Sequence, residues 1–218
     1  MKPYYQDDYV TLYHGDCREI VPTLGKFDLL LTDPPYGAIG GSKAIGGSGF
    51  VKANEYDLSW DIKTISHADL DTIIAAGKQH IIWGVNYFWD YFKPTNGLLV
   101  WDKKCQNDWN DTFSDAEMAW TDCSTKLKMF RYLWVGALKQ GNEGKRVHPT
   151  QKPIALMTWC IKQANTPATI IDPYAGAGAT GRAAKDLQRK CTLIELEERY
   201  CEVAANRLRQ EVLPLECE

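Results

Sequence analysis

Residues 33–36, Asp33-Pro34-Pro35-Tyr36, form the segment of this chain with the clearest capacity for chemistry. An ionised Asp33 only accepts hydrogen bonds, and the two prolines fix φ and have no N–H to donate. A carboxylate and a backbone carbonyl held side by side can accept both hydrogens of an exocyclic amine, and the ring of Tyr36 offers a face on which a nucleobase can stack. The segment therefore predicts a site for a planar amine. The alternative for these four residues alone is a Pro-rich turn after a buried strand.

Residues 169–181 have the pattern of a buried strand that leads into glycines and then into an amphipathic helix. Glycines let the backbone approach a ligand closely, and the start of the helix presents free N–H groups. Glu195 ends the next apolar run, 23 residues after Asp172, where its carboxylate could accept both hydroxyls of a ribose. This spacing predicts a nucleotide-cofactor site. Its glycines also satisfy GxGxxG, which suits a dinucleotide oxidoreductase as well.

A carboxylate also follows the short apolar run from Val10 to Tyr13, where Asp16 comes directly after His14 and Gly15. At that place Asp16 could accept the amine of an adenine, because an ionised carboxylate is purely an acceptor. Taken alone, a residue of this type is more often the cap of a helix, here one predicted from Arg18 to Leu24.

The segment His148-Pro149-Thr150-Gln151-Lys152-Pro153 stands directly before a helix predicted from Ile154. Thr150 could cap that helix, and the ammonium of Lys152 could meet a carboxylate. By composition alone the segment indicates the start of a helix and no more.

Basic side chains are concentrated between residues 126 and 152, in a chain whose net charge is −3. Only one acid, Glu143, accompanies them there, so the stretch has a local charge of +6. The seven basic residues are Lys126, Lys128, Arg131, Lys139, Lys145, Arg146 and Lys152. Such a patch suits a polyanion, although an ordinary solvated face would have the same composition.

Length and composition place the chain among single-domain globular proteins, since 218 residues with 44% hydrophobic content can bury a sizeable core. No apolar stretch is long enough to span a bilayer, and residues 1–8 lack the pattern of a signal peptide. We therefore expect a cytoplasmic protein. The seven cysteines are scattered and form no CxxC pair, which favours reduced thiols, mostly in the core, over a zinc site or a disulfide framework.

Short apolar runs alternate with amphipathic stretches along the chain, and this alternation predicts an α/β sheet. The predicted strands are Val10 to Tyr13, Asp28 to Thr32, His80 to Gly84, Leu98 to Trp101, Glu117 to Trp120, Tyr132 to Val135, Thr169 to Asp172 and Thr192 to Glu195. The predicted helices are Arg18 to Leu24, Ala68 to Gly77, Tyr87 to Phe92, Ile154 to Gln163, Ala179 to Leu187 and Glu198 to Gln210.

Taken together, these segments resemble the amino-group DNA methyltransferases. The resemblance is to the permuted class, in which a DPPY motif precedes the glycine loop that binds S-adenosylmethionine. In this chain residues 33–36 come well before residues 172–178, and residues 148–153 stand just ahead of the latter. The resemblance covers most of the chain and extends to compact phage or prophage-type members.

The sequence departs from that family at a few positions of the glycine motif. Tyr174 stands where Phe is usual, and Ala177 and Ala179 stand where Ser or Thr are frequent. These changes keep an aromatic ring and small side chains. The resemblance implies one methyltransferase domain over residues 1–218, with a Rossmann-like sheet, helices on both faces and a circularly permuted order of motifs.

The same resemblance implies S-adenosyl-L-methionine as the cofactor and assigns roles to residues. The catalytic residues would be Asp33, Pro34, Pro35 and Tyr36. The cofactor would be bound by Asp16, Asp33, His148, Thr150, Gln151, Lys152, Asp172, Pro173, Tyr174, Ala175, Gly176, Gly178, Glu195 and Leu196. DNA would be bound by Lys103, Lys104, Lys126, Lys128, Arg131, Lys139, Lys145 and Arg146.

The expected reaction is methyl transfer to the 6-amino group of an adenine flipped out of DNA, with the 4-amino group of cytosine as the alternative. Adenine is favoured because the cytosine enzymes of the family more often carry Ser at the position of Asp33. RNA methyltransferases and glutamine-modifying enzymes have related tetrapeptides. A nicotinamide-dependent oxidoreductase and a noncatalytic DNA-binding module are the hypotheses from other classes.

Little of the chain is left for a separate target-recognition domain once these segments are placed. Recognition is therefore expected from loops near residues 37–60, 103–115 and 140–146, which predicts a short or relaxed target sequence. A homodimer and a cognate restriction enzyme are possible further partners, and no membrane is expected.

Overall fold

The computed structural model describes residues 1–37, 64–92, 97–105, 114–135, 138–143, 147–148 and 150–210, and the backbone of residues 44–45 and 54–55. The strands in these residues are β1 (Tyr5–Gln6), β2 (Val10–His14), β3 (Phe27–Thr32), β4 (Ala44–Ile45), β5 (Asn54–Glu55), β6 (Gly77–Trp83), β7 (Leu98–Asp102), β8 (Ala116–Thr121), β9 (Leu127–Arg131), β10 (Trp134–Val135), β11 (Leu138–Lys139), β12 (Thr169–Asp172) and β13 (Lys190–Glu195). The helices are α1 (Cys17–Ile20), α2 (His67–Ile74), α3 (Ile154–Ile161), α4 (Ala179–Asp186) and α5 (Glu198–Arg209), with 3-10 turns at Val21–Thr23 and Val85–Tyr87.

Nine of these strands form one mixed sheet in the order β1-β2-β13-β12-β3-β6-β8-β7-β9. The five neighbours β2, β13, β12, β3 and β6 run parallel. β8 is antiparallel to both β6 and β7, and the edge strand β1 is antiparallel to β2. The predicted α/β class is confirmed, and the architecture is Rossmann-like.

Helices cover both faces of the sheet, because successive side chains of a strand point to opposite sides. Leu29 of β3 packs into one core with Leu156 of α3, and the same core contains residues of α4 and α5. The next residue, Leu30, packs into the other core with Leu70 of α2. The single strand β3 therefore joins the two layers of helices.

The centre of the sheet is the parallel pair β12 and β3, in which Ile171 lies opposite Leu30. From β12 the chain passes through α4 to β13 on one side, and from β3 it passes through α2 to β6 on the other. In parallel sheets, the crevice outside the carboxyl ends of the strands at such a switch point is where ligands bind. Asp172 ends β12 and Asp33 directly follows β3, so both lie at this crevice.

The helix predicted from Tyr87 to Phe92 is wrong. The structure has a 3-10 turn at Val85–Tyr87 instead, which follows Gly84 with a φ of 79° in the left-handed region. Six residues are too few to stabilise a helix by themselves. Phe92 instead stacks on Trp120, with 4.7 Å between the ring centroids.

Several other elements differ from their predicted bounds. The helix predicted from Ala68 to Gly77 is α2, which ends at Ile74, and Gly77 begins β6 instead. The strand predicted from Tyr132 to Val135 is reduced to β10, and the edge strand is β9, whose basic residues break up the apolar run that marks a strand. The helix predicted from Arg18 to Leu24 is the single turn α1, followed by the 3-10 turn that contains Pro22. Proline has no N–H for the hydrogen bond that would continue the α-helix.

Six cysteines lie in the described part of the chain, and all six are free thiols. Four of them, Cys17, Cys160, Cys191 and Cys201, are buried, as the sequence predicts. The described residues include no group of His, Cys, Asp or Glu that could hold a metal ion. None of the described helices is long and apolar enough to cross a membrane.

Candidate active site

A cavity of about 430 Å³ lies at the carboxyl ends of the parallel strands. Six carboxylates line it, and four of them stand at or just after the end of a different strand: Asp16 after β2, Asp33 after β3, Asp172 in β12 and Glu195 in β13. The sequence places these residues up to 179 positions apart, but the parallel sheet brings the four strand ends to one edge. The cavity therefore joins the two segments that the sequence singles out.

Asp33 presents one oxygen to a partner and leaves the other without one. Its Oδ2 accepts a hydrogen bond from Nζ of Lys152, and its side chain is 16% exposed. Its Oδ1 is buried and has no hydrogen-bond partner among the described residues. Burial is the largest cause that raises the pKa of Asp33 to about 6, while the ammonium of Lys152 opposes the shift. Oδ1 can therefore accept a hydrogen bond from a ligand that enters the cavity.

Lys152 is almost fully buried and lies between two carboxylates. Its Nζ contacts Oδ2 of Asp33 and also Oε2 of Glu117, the latter at 3.0 Å. Burial acts to lower the pKa of Lys152, but the two carboxylates raise it well above its ordinary value. The other oxygen of Glu117, Oε1, accepts a hydrogen bond of 2.8 Å from Nζ of Lys103. The predicted contact of Lys152 with a carboxylate is thus present.

Sequence reasoning did not find Glu117 as a site residue. The available signal is an acidic side chain inside the apolar strand β8, because a charge at such a position needs a partner. The partners, Lys152 and Lys103, come from other segments of the chain, so the local pattern does not reveal them.

Pro35 and Tyr36 anchor the turn that follows Asp33. The carbonyl of Pro35 accepts a hydrogen bond of 3.0 Å from the N–H of Ile65, and Pro35 lines the cavity. The ring of Tyr36 does not line it. This ring is stacked on Tyr87, with 4.4 Å between centroids and 6° between the planes. Tyr36 thus has an aromatic partner on one face already.

Asp172 organises the start of the glycine loop. Its buried carboxylate accepts hydrogen bonds from Thr32 Oγ1 at 2.8 Å, from Thr180 Oγ1 at 2.6 Å and from the N–H of Tyr174 at 3.1 Å. Burial raises its pKa, and these hydrogen bonds act in the opposite direction. The residue therefore positions the loop by linking β12 to β3 and to α4.

The glycines of the loop have distinct roles. Gly176 lines the cavity and has a φ of 50°. Gly178 lies against α5 with a φ of 76°, and a Cβ there would be 2.9 Å from the Cβ of Ala204. A Cβ on Gly181 would be 2.6 Å from Leu193 Cδ1, so this glycine lets α4 pack closely on β13. Gly178 and Gly181 serve packing rather than the cavity wall.

Glu195 is buried at the end of β13, and its carboxylate is held by backbone donors. Oε2 accepts from the N–H of Gly176 at 2.8 Å, and Oε1 accepts from the N–H of Glu197 at 2.8 Å. Burial is the main cause that raises its pKa. Each oxygen retains a lone pair for a ligand in the cavity. Leu196, also in the predicted cofactor set, lines the same cavity and is exposed.

Asp16 is the N-cap of α1, which is the simpler of its two interpretations. Its Oδ1 accepts from the N–H of Arg18 at 2.9 Å, and the guanidinium of Arg18 forms an ion pair with it. The Arg18 side chain holds the pKa of Asp16 below its ordinary value. Asp16 also lines the cavity, and its contact with an adenine amine stays a prediction.

His148 forms part of the cavity wall. It is buried against Tyr200, with 4.2 Å between ring centroids, and burial lowers its pKa to about 3. Its Nδ1 lies 3.3 Å from the N–H of Thr150, another lining residue. His148 is therefore neutral in the folded protein at physiological pH.

Gln151 is also buried in the cavity wall. Its Oε1 accepts from the N–H of Val147 at 3.0 Å, whereas its Nε2 is buried with no partner among the described residues. Gln151 thus leaves a donor for an acceptor on a ligand.

The prediction that Thr150 caps α3 is wrong. The helix begins after Pro153, whose side chain forms no cap hydrogen bond. The N–H of Ile154 is instead satisfied by Oε1 of Glu143 at 2.7 Å. A carboxylate from outside the segment replaces the local cap because it also complements the positive end of the helix.

Several residues of the predicted DNA-binding set have polar partners within the protein. Lys103 contacts Glu117, and Lys104 contacts Asp115 at 2.7 Å. Lys128 donates to Gln163, Arg131 lies 3.5 Å from Asp102, and Lys139 lies over the ring of Trp134. Lys126 precedes the edge strand β9 and is exposed, while Lys145 and Arg146 are outside the described residues. Phosphate binding by this set stays a prediction.

The segments predicted to recognise the target lie largely outside the described residues. Residues 106–113 and 144–146 lie outside the described residues, as do the side chains of residues 38–63. The role of these loops in target recognition therefore stays a prediction.

A protein-family model described as "DNA methylase" matches residues 77–206, more than half of the chain. The chain is 26% identical to the type II methyltransferase M2.LlaDCHI of Lactococcus lactis subsp. cremoris, over 96% of this chain and 93% of that protein. It is also 26% identical to the type II methyltransferase M2.DpnII of Streptococcus pneumoniae, with the same two coverages of 96% and 93%.

Solved structures share the fold. The M1.HpyAVI–SAM complex aligns with a TM-score of 0.57 and 21% identity, over 92% of this chain and 100% of that chain. The cytosine-N4-specific PvuII DNA methyltransferase aligns with a TM-score of 0.63 and 16% identity, over 97% of this chain and 90% of that chain. At these identities the similarity is one of architecture.

Proposed function

The chain belongs to the DNA methylase family, and on that premise we propose that it transfers a methyl group from S-adenosylmethionine to the 6-amino group of adenine in DNA. The observation that carries the proposal is Asp33, which lines the same cavity as the glycine loop and Glu195 and whose buried Oδ1 has no hydrogen-bond partner among the described residues. The relatives named type II methyltransferases support it. The family is not one of nicotinamide-dependent oxidoreductases or of noncatalytic DNA-binding modules.

The residues of the cavity fit the proposed cofactor by the chemistry of their donors and acceptors. Glu195 offers carboxylate lone pairs to ribose hydroxyls, and Asp16 lies where it could meet the adenine amine. The Nε2 of Gln151, which has no hydrogen-bond partner among the described residues, is a donor suited to a carboxylate or carbonyl oxygen. When bound, S-adenosylmethionine supplies a methyl group on a positively charged sulfur. Thr150 and Lys152 would lie near its methionine end.

Asp33 has the central role in the proposed chemistry. An aromatic amine is a poor nucleophile because its lone pair is delocalised into the ring. Hydrogen bonds from the amine to Oδ1 of Asp33 and to the carbonyl of Pro34 would localise that lone pair and stabilise the positive charge that develops on nitrogen. With a pKa of about 6, Asp33 is ionised at neutral pH and can then accept the proton that the methylated nitrogen loses.

Tyr36 would stack on the flipped base, and one of its two faces is already covered by Tyr87, which is itself 45% exposed. A base that approaches this face has to displace Tyr87. Stacking energy is sequence-tolerant, so the contact would support base flipping without selecting the base.

The test is transfer of a labelled methyl group to duplex DNA, single-stranded DNA and RNA, followed by identification of the methylated base. We expect N6-methyladenine in DNA. N4-methylcytosine would support the alternative reaction, and labelled RNA without labelled DNA would contradict the proposal.

The variant that tests the site is Asp33→Ala. We expect it to lose methyl transfer by at least about 10²- to 10³-fold, as for loss of one preorganised polar contact, while S-adenosylhomocysteine still binds. Asp28→Ala is the matched control, because Asp28 lies in the same strand β3 but at the end away from the cavity. Near-normal turnover in Asp33→Ala would refute the assignment.

The finer features of the resemblance stay part of the proposal. Residues 33–36 precede the glycine loop and lie before the family match, which begins at residue 77. This order supports the permuted class. A single domain with recognition loops, a phage or prophage origin, a homodimer, a cognate restriction enzyme and a cytoplasmic location stay predictions.

A further inference from the structure

Four charged side chains form a cluster beside the cavity, which we call the Lys152 cluster: Asp33, Glu117, Lys103 and Lys152. They come from four separate places in the chain, namely the end of β3, strand β8, the residue after β7 and the segment before α3. Two carboxylates and two ammonium groups make the cluster neutral. A single carboxylate would suffice to accept a hydrogen bond from an amine, so the other three charged side chains need a separate explanation.

The contacts form a chain rather than two separate pairs. Lys103 Nζ binds Oε1 of Glu117 at 2.8 Å, Oε2 of Glu117 lies 3.0 Å from Nζ of Lys152, and Lys152 contacts Oδ2 of Asp33. The side chains of Lys152 and Lys103 are only 7% and 14% exposed. Buried charges of this kind need partners with good geometry, so each member depends on its neighbour.

We propose that Glu117 and Lys103 are positioning residues of the methyl-transfer site, which hold the ammonium of Lys152 at Oδ2 of Asp33 and so keep Oδ1 as the acceptor for the target amine. The proposal rests on the function proposed above. An ammonium has three N–H donors and can bind both oxygens of one carboxylate. Glu117 draws the Lys152 ammonium to the side of Oδ2, and Lys103 holds Glu117 in place.

The electrostatics of the cluster agree with this geometry. Burial alone would raise the pKa of Glu117, but Lys152 and Lys103 lower it to about 2, so Glu117 is charged. Burial is the largest cause of the raised pKa of Asp33, Lys152 opposes it, and the charges of Glu117 and Asp172 add to it. The charge of Glu117 therefore raises the pKa of Asp33 as well as that of Lys152.

The experiment compares the full-length wild type with Glu117→Gln, Glu117→Asp and Lys103→Met in methyl transfer to adenine-containing duplex DNA. Folded protein is counted by binding of S-adenosylhomocysteine, and kcat and KM are measured for donor and DNA. Lys185→Met is the matched control, since it breaks an ion pair of 2.6 Å with Asp7 that lies outside the cavity.

We expect Glu117→Gln to lower kcat on the order of 10²-fold per folded molecule, the scale for a small displacement of a catalytic group, with little change in either KM. Because the charge of Glu117 raises the pKa of Asp33, the acidic limb of the kcat profile should also move to lower pH. Glu117→Asp should recover part of the rate, and Lys103→Met should lower kcat less than Glu117→Gln does.

Each outcome decides the proposal. If the wild type is active and folded Glu117→Gln or Lys103→Met retains its kcat, the positioning role is wrong while the proposed function stands. If Glu117→Gln does not fold, the kcat values of Lys103→Met and Glu117→Asp test the positioning role instead, and wild-type kcat in both would show that it is wrong. A wild type that binds S-adenosylhomocysteine but transfers no methyl group overturns both proposals.

Discussion

Thr32 and Asp172 are joined by a buried hydrogen bond of 2.8 Å between Oγ1 and Oδ1, although they are 140 residues apart in sequence. Thr32 is the last residue of β3 and immediately precedes Asp33, and Asp172 is the last residue of β12 and begins the glycine loop. This contact therefore links the strand end that bears the proposed acceptor of the amine to the start of the glycine loop, in addition to the pairing of β3 with β12.

Thr32→Val should weaken both stability and cofactor binding. The substitution keeps the shape of the side chain but leaves a buried carboxylate of Asp172 without one of its donors, at a cost of about 1–3 kcal/mol. We expect a lower free energy of unfolding in urea and a raised KM for the methyl donor. Thr72→Val is the control, because the Thr72 hydroxyl donates to the carbonyl of Ala68 in its own helix. Equal effects of the two changes would contradict the special role of Thr32.

Gly84→Ala should damage the site through Tyr36. A Cβ at this position would lie 2.7 Å from Tyr36 Cδ1, and the φ of 79° is unfavourable for any L side chain by about 1–2 kcal/mol. We expect lower stability together with a reduced kcat, measured by thermal unfolding and methyl transfer. Gly25→Ala is the matched control, since a Cβ there meets nothing within 4 Å. A fully active Gly84→Ala would argue against a defined Tyr36 position.

The rate of methyl transfer should fall as pH drops through about 6. Protonation of Asp33, whose pKa is raised to about 6 mainly by burial, removes the acceptor for the amine. The charged groups that face it are Lys152, Glu117 and Asp172, and Tyr36 is the adjacent phenol. Below that pH kcat should decline about tenfold per unit, as for one ionisation. A flat profile down to pH 5 would contradict this assignment.

His80 should make folding stability depend on pH near neutrality. Its Nδ1 lies 2.6 Å from Asp122 Oδ2, and its Nε2 lies 3.0 Å from the carbonyl of Ile74, so both nitrogens face acceptors and the imidazolium is favoured. Burial acts to lower the pKa of His80, but Asp122 and this carbonyl raise it above the ordinary value of 6.5. The thiol of Cys123 and the ring of Trp120 are the other neighbours.

Because the pKa is higher in the folded state, the stabilisation is fully present below pH 6.5 and is lost as pH rises through the folded-state value. Urea unfolding from pH 5.5 to 8.5 should show this decline. Asp122→Asn should flatten it, whereas wild-type dependence in that variant would rule out the pair as its cause.

Much of the candidate site was predictable from sequence, because short sequence patterns mark where its strands end. The apolar runs that end in Thr32, Asp172 and Glu195 are short, strongly patterned and followed by prolines, glycines or a polar turn. Such patterns determine where a buried strand stops, and parallel strands then place their carboxyl ends at one edge. The glycines at 176 and 178 mark the positive φ values that the structure shows.

Elements whose conformation depends on distant contacts were less predictable. In the segment from Tyr87 to Phe92, Tyr87 stacks on Tyr36 and Phe92 stacks on Trp120, and the segment does not form a helix. The start of α3 is satisfied by Glu143 from an adjoining loop rather than by Thr150. In both cases a tertiary partner overrides a weak local preference.

The sequence by itself determined the α/β class, the ends of the central strands and the acceptor, glycine and carboxylate positions of the site, because these follow from backbone rules over a few residues. Only the tertiary structure decided that Lys152 is shared by Asp33 and Glu117, that Lys103 completes the cluster and that Tyr87 covers Tyr36. Charge pairing and ring stacking act through space over a few ångströms, so partners separated by 14 to 119 residues leave no mark in the local pattern.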